Sequence, residues 1–218
     1  MPEYIKICEE AARAGGAVLL DWAGRFSARE KGPSDLVTEA DLASQEIIRQ
    51  RLLTAFPDHA FLGEEDEIRQ IDDGRPRWIV DPLDGTMNYV HGVPDYSVSV
   101  ALVHQGQTLA GTVFNPVTRE CFTAASGQGA FLNGARLRTS GVTSTAQALV
   151  AMSFAPRVRR DSPDVARFIE AIEACQGLRR MGSAALNLAY VAAGRYDAYW
   201  TTNTKAWDVA AGILLIRE

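Results

Sequence analysis

The segment Ile79 to Tyr89, IVDPLDGTMNY, puts two carboxylates, Asp81 and Asp84, around a Pro-Leu at the end of an apolar run. Pro82 and Gly85 force a turn, so the two side chains can converge despite their spacing. Like charges held close need a cation between them, and hard oxygen donors at a turn suit Mg²⁺. The carbonyl of Leu83, at the bend, is a further candidate oxygen ligand. Gly85 and Thr86 begin what could be a helical turn whose free N–H groups suit a phosphate. A plainer reading also exists: Asp-Pro-x-Asp-Gly is a good turn sequence, and Asp84 or Thr86 could cap a helix.

Other acids sit at similar boundaries. Glu64 follows Phe61-Leu62-Gly63 as though a strand ran into a turn, although three acids in a row usually form a solvated loop. Asp41, in TEAD, is the third-position acid of a capping box begun by Thr38. Asp208, after Trp207, opens an Ala-rich helix and favours its dipole. Each has a structural reason to exist; four acids at element boundaries call for a common one. Lys31, before the turn GPSD, reads either as surface or as an offset to carboxylate charge. Arg179-Arg180 precede MGSAALN, where a Gly-Ser helix start could meet an anionic or hydroxylated ligand; a basic pair is more often a solvated face. His59, His91 and His104 have no metal-ligand spacing.

The elements that would position these residues follow from periodicity. Ile5, Cys8, Ala12, Gly16 and Leu19 share one face of a helix over residues 2–22, and a short strand is expected over 26–31. DLVTEAD leads into a second helix, capped by Thr38, with Leu42, Ile47, Ile48, Leu52 and Phe56 as its apolar face. Residues 60–65 and 77–81 read as strands that end in acid. From Tyr96 to Leu137, β-rich runs split by Gly106, Asn115-Pro116, Gly127 and Asn133-Gly134 predict an antiparallel meander. A strand over 147–154, helices over 163–175 and 183–193, a strand over 196–200 and a helix from Trp207 complete the reading. One domain over 1–218 is expected: helices and antiparallel sheet over 1–140, and a smaller α/β part over 141–218. The last helix runs to Glu218 without a cap, as a truncated chain would.

Composition narrows the class. The chain has 218 residues, 47% of them hydrophobic, and a net charge of −5. This suits a cytoplasmic acidic protein rather than a general nucleic-acid binder. No apolar run is long enough for a membrane span, and MPEYIKICEE lacks the pattern of a signal peptide. Cys8, Cys121 and Cys175 are widely spaced and read as free thiols.

Three segments, GEE at 63–65, DPLDGTMNYVHGVP at 81–94 and WDVAAG at 207–212, resemble the signatures of the inositol monophosphatase family. DLVTEAD, GQGAFLNG and MGSAALNLAYVAAGRYDAY extend the resemblance over nearly the whole chain. It implies a Mg²⁺-dependent, lithium-sensitive phosphatase with two or three metal ions. The fold implied is a layered αβαβα sandwich of the α+β class, shared with fructose-1,6-bisphosphatase and often a homodimer. Carried over by position, Glu64, Asp81, the Leu83 carbonyl, Asp84 and Asp208 resemble the metal ligands. Glu64 and Thr86 resemble the pair that positions the attacking water, with Asp41 in support. Gly85 and Thr86 would contact phosphate, and Asp84, Gly182, Ser183 and Ala184 the substrate. The substrate implied is a small phosphorylated sugar or polyol, such as inositol 1-phosphate, fructose-1,6-bisphosphate, histidinol phosphate or a phosphonucleotide.

Two departures stand out. The place where many inositol-hydrolysing members carry an acid holds Thr201-Thr202-Asn203, and family chains run on past the helix that here ends at Glu218. A fragment that binds metal or phosphate, or dimerises, without turnover is the non-catalytic alternative. A haloacid-dehalogenase-type phosphatase would need its two acids spaced by two, which keeps both on one side of an extended segment.

Overall fold

The computed structural model describes residues 3–32, 35–66, 73–155 and 158–218; the side chains of residues 30–32, 35 and 36 also lie outside that description. In chain order the elements are α1 (Glu3–Trp22), β1 (Ala28–Gly32), β2 (Asp35–Thr38), α2 (Glu39–Ala55), β3 (Ala60–Gly63), β4 (Arg77–Asp84) and α3 (Thr86–Val90). The meander follows as β5 (Ser97–His104), β6 (Gln107–Asn115), β7 (Glu120–Ala125), β8 (Gly129–Leu132) and β9 (Ala135–Arg136). The remainder is β10 (Leu149–Ser153), α4 (Pro163–Ala174), β11 (Gly177–Arg179), α5 (Ala184–Ala192), β12 (Ala198–Thr201) and α6 (Ala206–Arg217).

Strands β3 to β9 form one seven-stranded sheet in sequence order. Only β3 and β4 are parallel within it; the other neighbours are antiparallel, as alternating apolar runs joined by tight turns require. Helices α1 and α2 cover one face, where Ile5, Cys8, Leu19, Ile48 and Leu52 meet Trp78, Val80, Val98 and Val100. Helices α5 and α6 cover the other, where Leu186, Ala189, Leu214 and Leu215 meet Ala101, Val113 and Phe122. Beyond α5 lies a parallel three-stranded sheet, β11-β10-β12, with α4 outermost. The result is the layered αβαβα sandwich of an α+β protein.

Several details depart from the sequence reading. DLVT is itself a strand, β2, an antiparallel partner of β1 (Ala28 opposite Thr38), and the helix begins at Glu39 with Thr38 as its N-cap, as expected. Leu42 lies 44% exposed, while Ala40, Ser44, Ile48 and Leu52 are buried, so α2 meets the sheet with a stripe partly made of small residues. The three residues of β11 were not expected; a strand this short exists only by pairing with β10. In the smaller part over 141–218, α5 and α6 pack into the core of the large sheet. A Cβ on Gly111 would come within 2.8 Å of the Ala211 Cα, so this glycine lets α6 lie close against β6.

Candidate active site

β4 carries the first two acids, and its irregular end aims them. Asp81 pairs with Ser99 and Asp84 with Ser97, so the register shifts between them and Pro82-Leu83 bulge from the ladder. The strand thus runs on to Asp84 instead of ending at Asp81. The bulge is fixed from both sides. Ser44 of α2 donates to the Pro82 carbonyl (3.0 Å), and the Leu83 N–H donates to Asp81 Oδ1 (3.0 Å). Gly85 then turns the chain into α3 with φ +98°, a left-handed conformation at which a side chain would be strained.

The other acids arrive from distant elements. The Glu64 N–H donates to the Val80 carbonyl (3.0 Å), extending the β3–β4 pairing and placing Glu64 beside the end of β4. Its neighbour Asp66 is used differently: it accepts from the Gly63 N–H (3.0 Å) and pairs with Arg49, which shapes the loop. Asp208 lies in the first turn of α6 and accepts from the Lys205 N–H (2.7 Å). That turn is tied to the sheet by Ser99, whose hydroxyl donates to the Trp207 carbonyl (3.2 Å).

Glu64, Asp81, Leu83, Asp84, Gly85, Thr86 and Asp208 line one cavity of about 230 Å³, together with Gly182 and Ala184. Burial pushes the Asp81 carboxyl well above the usual range, and the negative charges of Glu64, Asp84 and Asp208 push it further. Asp84 is raised to about 6 by burial, with the Ser183 hydroxyl and the Ala184 and Ala185 amides acting against the shift. Burial also raises Asp208. The same mutual repulsion is what a divalent cation would remove, and carboxylates plus a carbonyl are the donors that Mg²⁺ prefers. Among the described residues, no three His, Cys, Asp or Glu side chains are already gathered into a metal-holding set. Some of these oxygens are engaged by protein donors. Asp84 Oδ1 accepts from Ala184 N–H (3.1 Å), and Oδ2 from Ala185 N–H (2.7 Å) and the Ser183 hydroxyl. Three donors occupy three of the carboxylate's four lone-pair sites, both on Oδ2 and one on Oδ1, so Oδ1 keeps one for a cation and Asp84 is oriented without being saturated. The donor set fits Mg²⁺.

Asp41 stands behind Thr86. The Thr38 N–H donates to Asp41 Oδ2 (2.9 Å) as one half of the expected capping box, and the Thr38 hydroxyl donates to the same oxygen (2.6 Å). Its other oxygen lies 3.4 Å from the Thr86 hydroxyl, which also donates to the Leu83 carbonyl (3.1 Å). The capping and site readings of Asp41 are therefore compatible, one for each oxygen. Ser183 differs from expectation as a substrate contact: it is fully buried, and its hydroxyl donates to Asp84 and accepts from the Leu186 N–H (3.1 Å). Its neighbours Gly182 and Ala184 do face the cavity. The side chain of Lys31 lies outside the described residues.

Sequence reading missed the far wall. Ser153, Phe154, Tyr199 and Thr204 line the cavity beside Thr201 and Asn203. Ser153 and Thr201 end the parallel strands β10 and β12, and carboxyl ends of parallel strands are where ligands bind, so a parallel pairing would have pointed to them. Asn88 was missed as well. Its amide donates to the carbonyls of Asp95 and Met181 (2.6 Å each), and it packs where a Cβ on Gly182 (φ +91°) would stand. It thereby fastens the 181–182 turn to the start of α3.

Comparison with known proteins bears on the family and the fold. A model of the inositol monophosphatase family matches residues 1–218. An inositol-1-monophosphatase of Rhizobium meliloti is 47% identical over 190 residues, 86% of this chain and 71% of that one. A Pseudomonas aeruginosa relative named Nus factor SuhB is 42% identical, covering 100% of this chain and 83% of its own. Among solved structures, the extragenic suppressor protein suhB of Bartonella henselae superposes with a TM-score of 0.94 at 40% identity, over 100% of this chain and 85% of that chain. An IMPase/NADP phosphatase complexed with Mg²⁺ and phosphate superposes with a TM-score of 0.82 at 27% identity, over 93% and 76%.

Proposed function

The chain belongs to the inositol monophosphatase family, and we propose that it hydrolyses the phosphate monoester of a small sugar or polyol in the presence of Mg²⁺. The observation that carries this reading is the convergence of Glu64, Asp81, Asp84, Asp208 and the Leu83 carbonyl on one cavity beside Gly85 and Thr86. A phosphate dianion is repelled by four carboxylates, so the site makes sense only with cations present. Glu64, Asp81, the Leu83 carbonyl, Asp84 and Asp208 would hold Mg²⁺. When bound, the ions would offset phosphate charge, lower the pKa of the attacking water and stabilise the departing alkoxide.

The chain's own groups supply orientation and proton transfer. The Gly85 and Thr86 N–H groups hold phosphate oxygens. Asp41 and the Leu83 carbonyl fix the Thr86 hydroxyl at distances of 3.4 and 3.1 Å. Thr86 and Glu64 together aim a water at phosphorus, and Glu64 takes its proton. Attack is direct and in line, with no covalent enzyme intermediate. Gly182 and Ala184 border the leaving group. Two or three Mg²⁺ ions, inhibition by Li⁺ and a homodimer belong to the same reading; inositol 1-phosphate is the first substrate to assay.

The test is phosphate release from inositol 1-phosphate and related sugar phosphates, with Mg²⁺, with chelator, and with Mg²⁺ plus Li⁺. Release that requires Mg²⁺ and falls with Li⁺ is expected. A chain that binds phosphate but releases none from any ester in Mg²⁺ would be a binding protein instead.

A further inference from the structure

Besides the acids, the cavity is lined by Ser153, Phe154, Arg180, Thr201, Asn203 and Thr204. Among the described residues lining the cavity, Arg180 is the one basic side chain. It is exposed, and its guanidinium lies over the Phe154 ring, 5.5 Å from the centroid. It is anchored by a ring rather than neutralised, since among the described residues no carboxylate forms an ion pair with it. Its neighbour Arg179 is spent locally, with a guanidinium N–H donating to the Leu178 carbonyl (3.0 Å).

Ser153, Thr201, Asn203 and Thr204 can each donate to and accept from sugar hydroxyls; what Arg180 adds to them is a fixed positive charge. A guanidinium has five N–H donors and no acceptor, and its planar fork suits phosphate or carboxylate. The four acids are committed to the scissile end, and the neighbouring lining residues Thr201, Asn203 and Thr204 are neutral.

We infer that Arg180 is a specificity-determining residue that pairs with a second anionic group carried by the leaving portion of the substrate, so that a doubly anionic ester is preferred to its singly phosphorylated analogue. This rests on the phosphatase reading and narrows its substrate class. The two parts of the wall divide the work. Phe154 holds the guanidinium plane, and Ser153, held 2.9 Å from the Tyr199 hydroxyl, keeps the end of β10 in place beneath it.

The probe is a pair of substrates with the same scissile phosphate, fructose 1-phosphate and fructose 1,6-bisphosphate, assayed for phosphate release in Mg²⁺. The wild type is expected to have the higher kcat/KM for the bisphosphate. In Arg180→Ala the ratio of the two kcat/KM values should fall about 10- to 100-fold, the scale of a charge-assisted pair, mainly through KM for the bisphosphate. Arg180→Lys should recover part of the ratio. Because Arg180 is exposed, an unchanged thermal melt will show that the variants fold. A ratio that Arg180→Ala leaves unchanged, or a wild type that prefers the monophosphate, overturns the inference and leaves the phosphatase reading standing. Absence of release from either sugar ester, from inositol 1-phosphate and from p-nitrophenyl phosphate overturns both.

Discussion

At Asp84 two demands meet. The side chain lines the cavity, yet it also receives the Ser183 hydroxyl and two N–H groups from the start of α5. Those donors hold a buried carboxylate in place before any cation binds. Ser183→Ala removes one of them while the amides remain. A group that orients a metal ligand typically supports about 10- to 100-fold in metal affinity or activity. Ser183→Ala is expected to need that much more Mg²⁺ for half-maximal phosphate release; an unchanged Mg²⁺ titration would return Ser183 to a purely capping role. Thr86 makes the complementary case. Thr86→Val keeps the shape but removes the hydroxyl held by Leu83 and Asp41, and should lower kcat by about 100-fold or more, the scale of proton-transfer catalysis. Thr86→Ser should retain most of the rate, and equal loss in both variants would show that packing rather than the hydroxyl matters.

At the scale of elements, the site depends on how close α6 comes to the sheet. Gly111 on β6 lets the backbone near Ala211 approach, and Asp208 sits one turn earlier on the same helix. Gly111→Ala puts a methyl 2.8 Å from the Ala211 Cα, where only backbone movement gives relief. Overpacking of this kind costs about 1–3 kcal/mol, which a lower urea midpoint would report. Since α6 must shift to relieve it, the apparent Mg²⁺ affinity should fall as well. An unchanged midpoint would mean that the helix has slack to give. The same elements explain what could be read in the sequence. The Asp81–Asp84 turn was legible because Pro82 and Gly85 mark it locally, and Asp41 because a capping box is a local pattern. Glu64 and Asp208 were legible as site residues only through resemblance, since their convergence with β4 is long-range. β2 and β11 were not legible: four and three residues become strands here only through partners elsewhere in the chain.

At the scale of the molecule, the large sheet is covered on both faces, so the acids stand at the junction of layers that share cores. The Ser153–Phe154 and Thr201–Thr204 wall was missed for this reason, because the β10–β12 pairing that brings it to the cavity spans nearly fifty residues. The burial of Ser183 against Asp84 was not legible for the same reason: a Gly-Ser helix start does not reveal whether its hydroxyl faces ligand or a buried acid. The packing also sorts the thiols. Cys8 and Cys121 are buried, Cys175 only partly so. Burial pushes the Cys8 thiol up to about 12 and raises Cys121 as well, which disfavours the reactive thiolate. Near pH 8, roughly the ordinary thiol range, a thiol reagent should label Cys175 alone in the native protein and all three in denaturant. Rapid labelling of Cys8 or Cys121 would show that the α1–sheet core opens.

The central claim is that the acids at the end of β4 are the metal-dependent centre of a phosphatase, and Asp81→Asn tests it most directly. Asp81 is buried against Glu64, Asp84 and Asp208, so the amide keeps the shape and removes one charge from the set. Mg²⁺-dependent phosphate release should drop to the level of the chelated wild type, with the fold intact by thermal melting. Release at the wild-type rate in Asp81→Asn would contradict the assignment of the site.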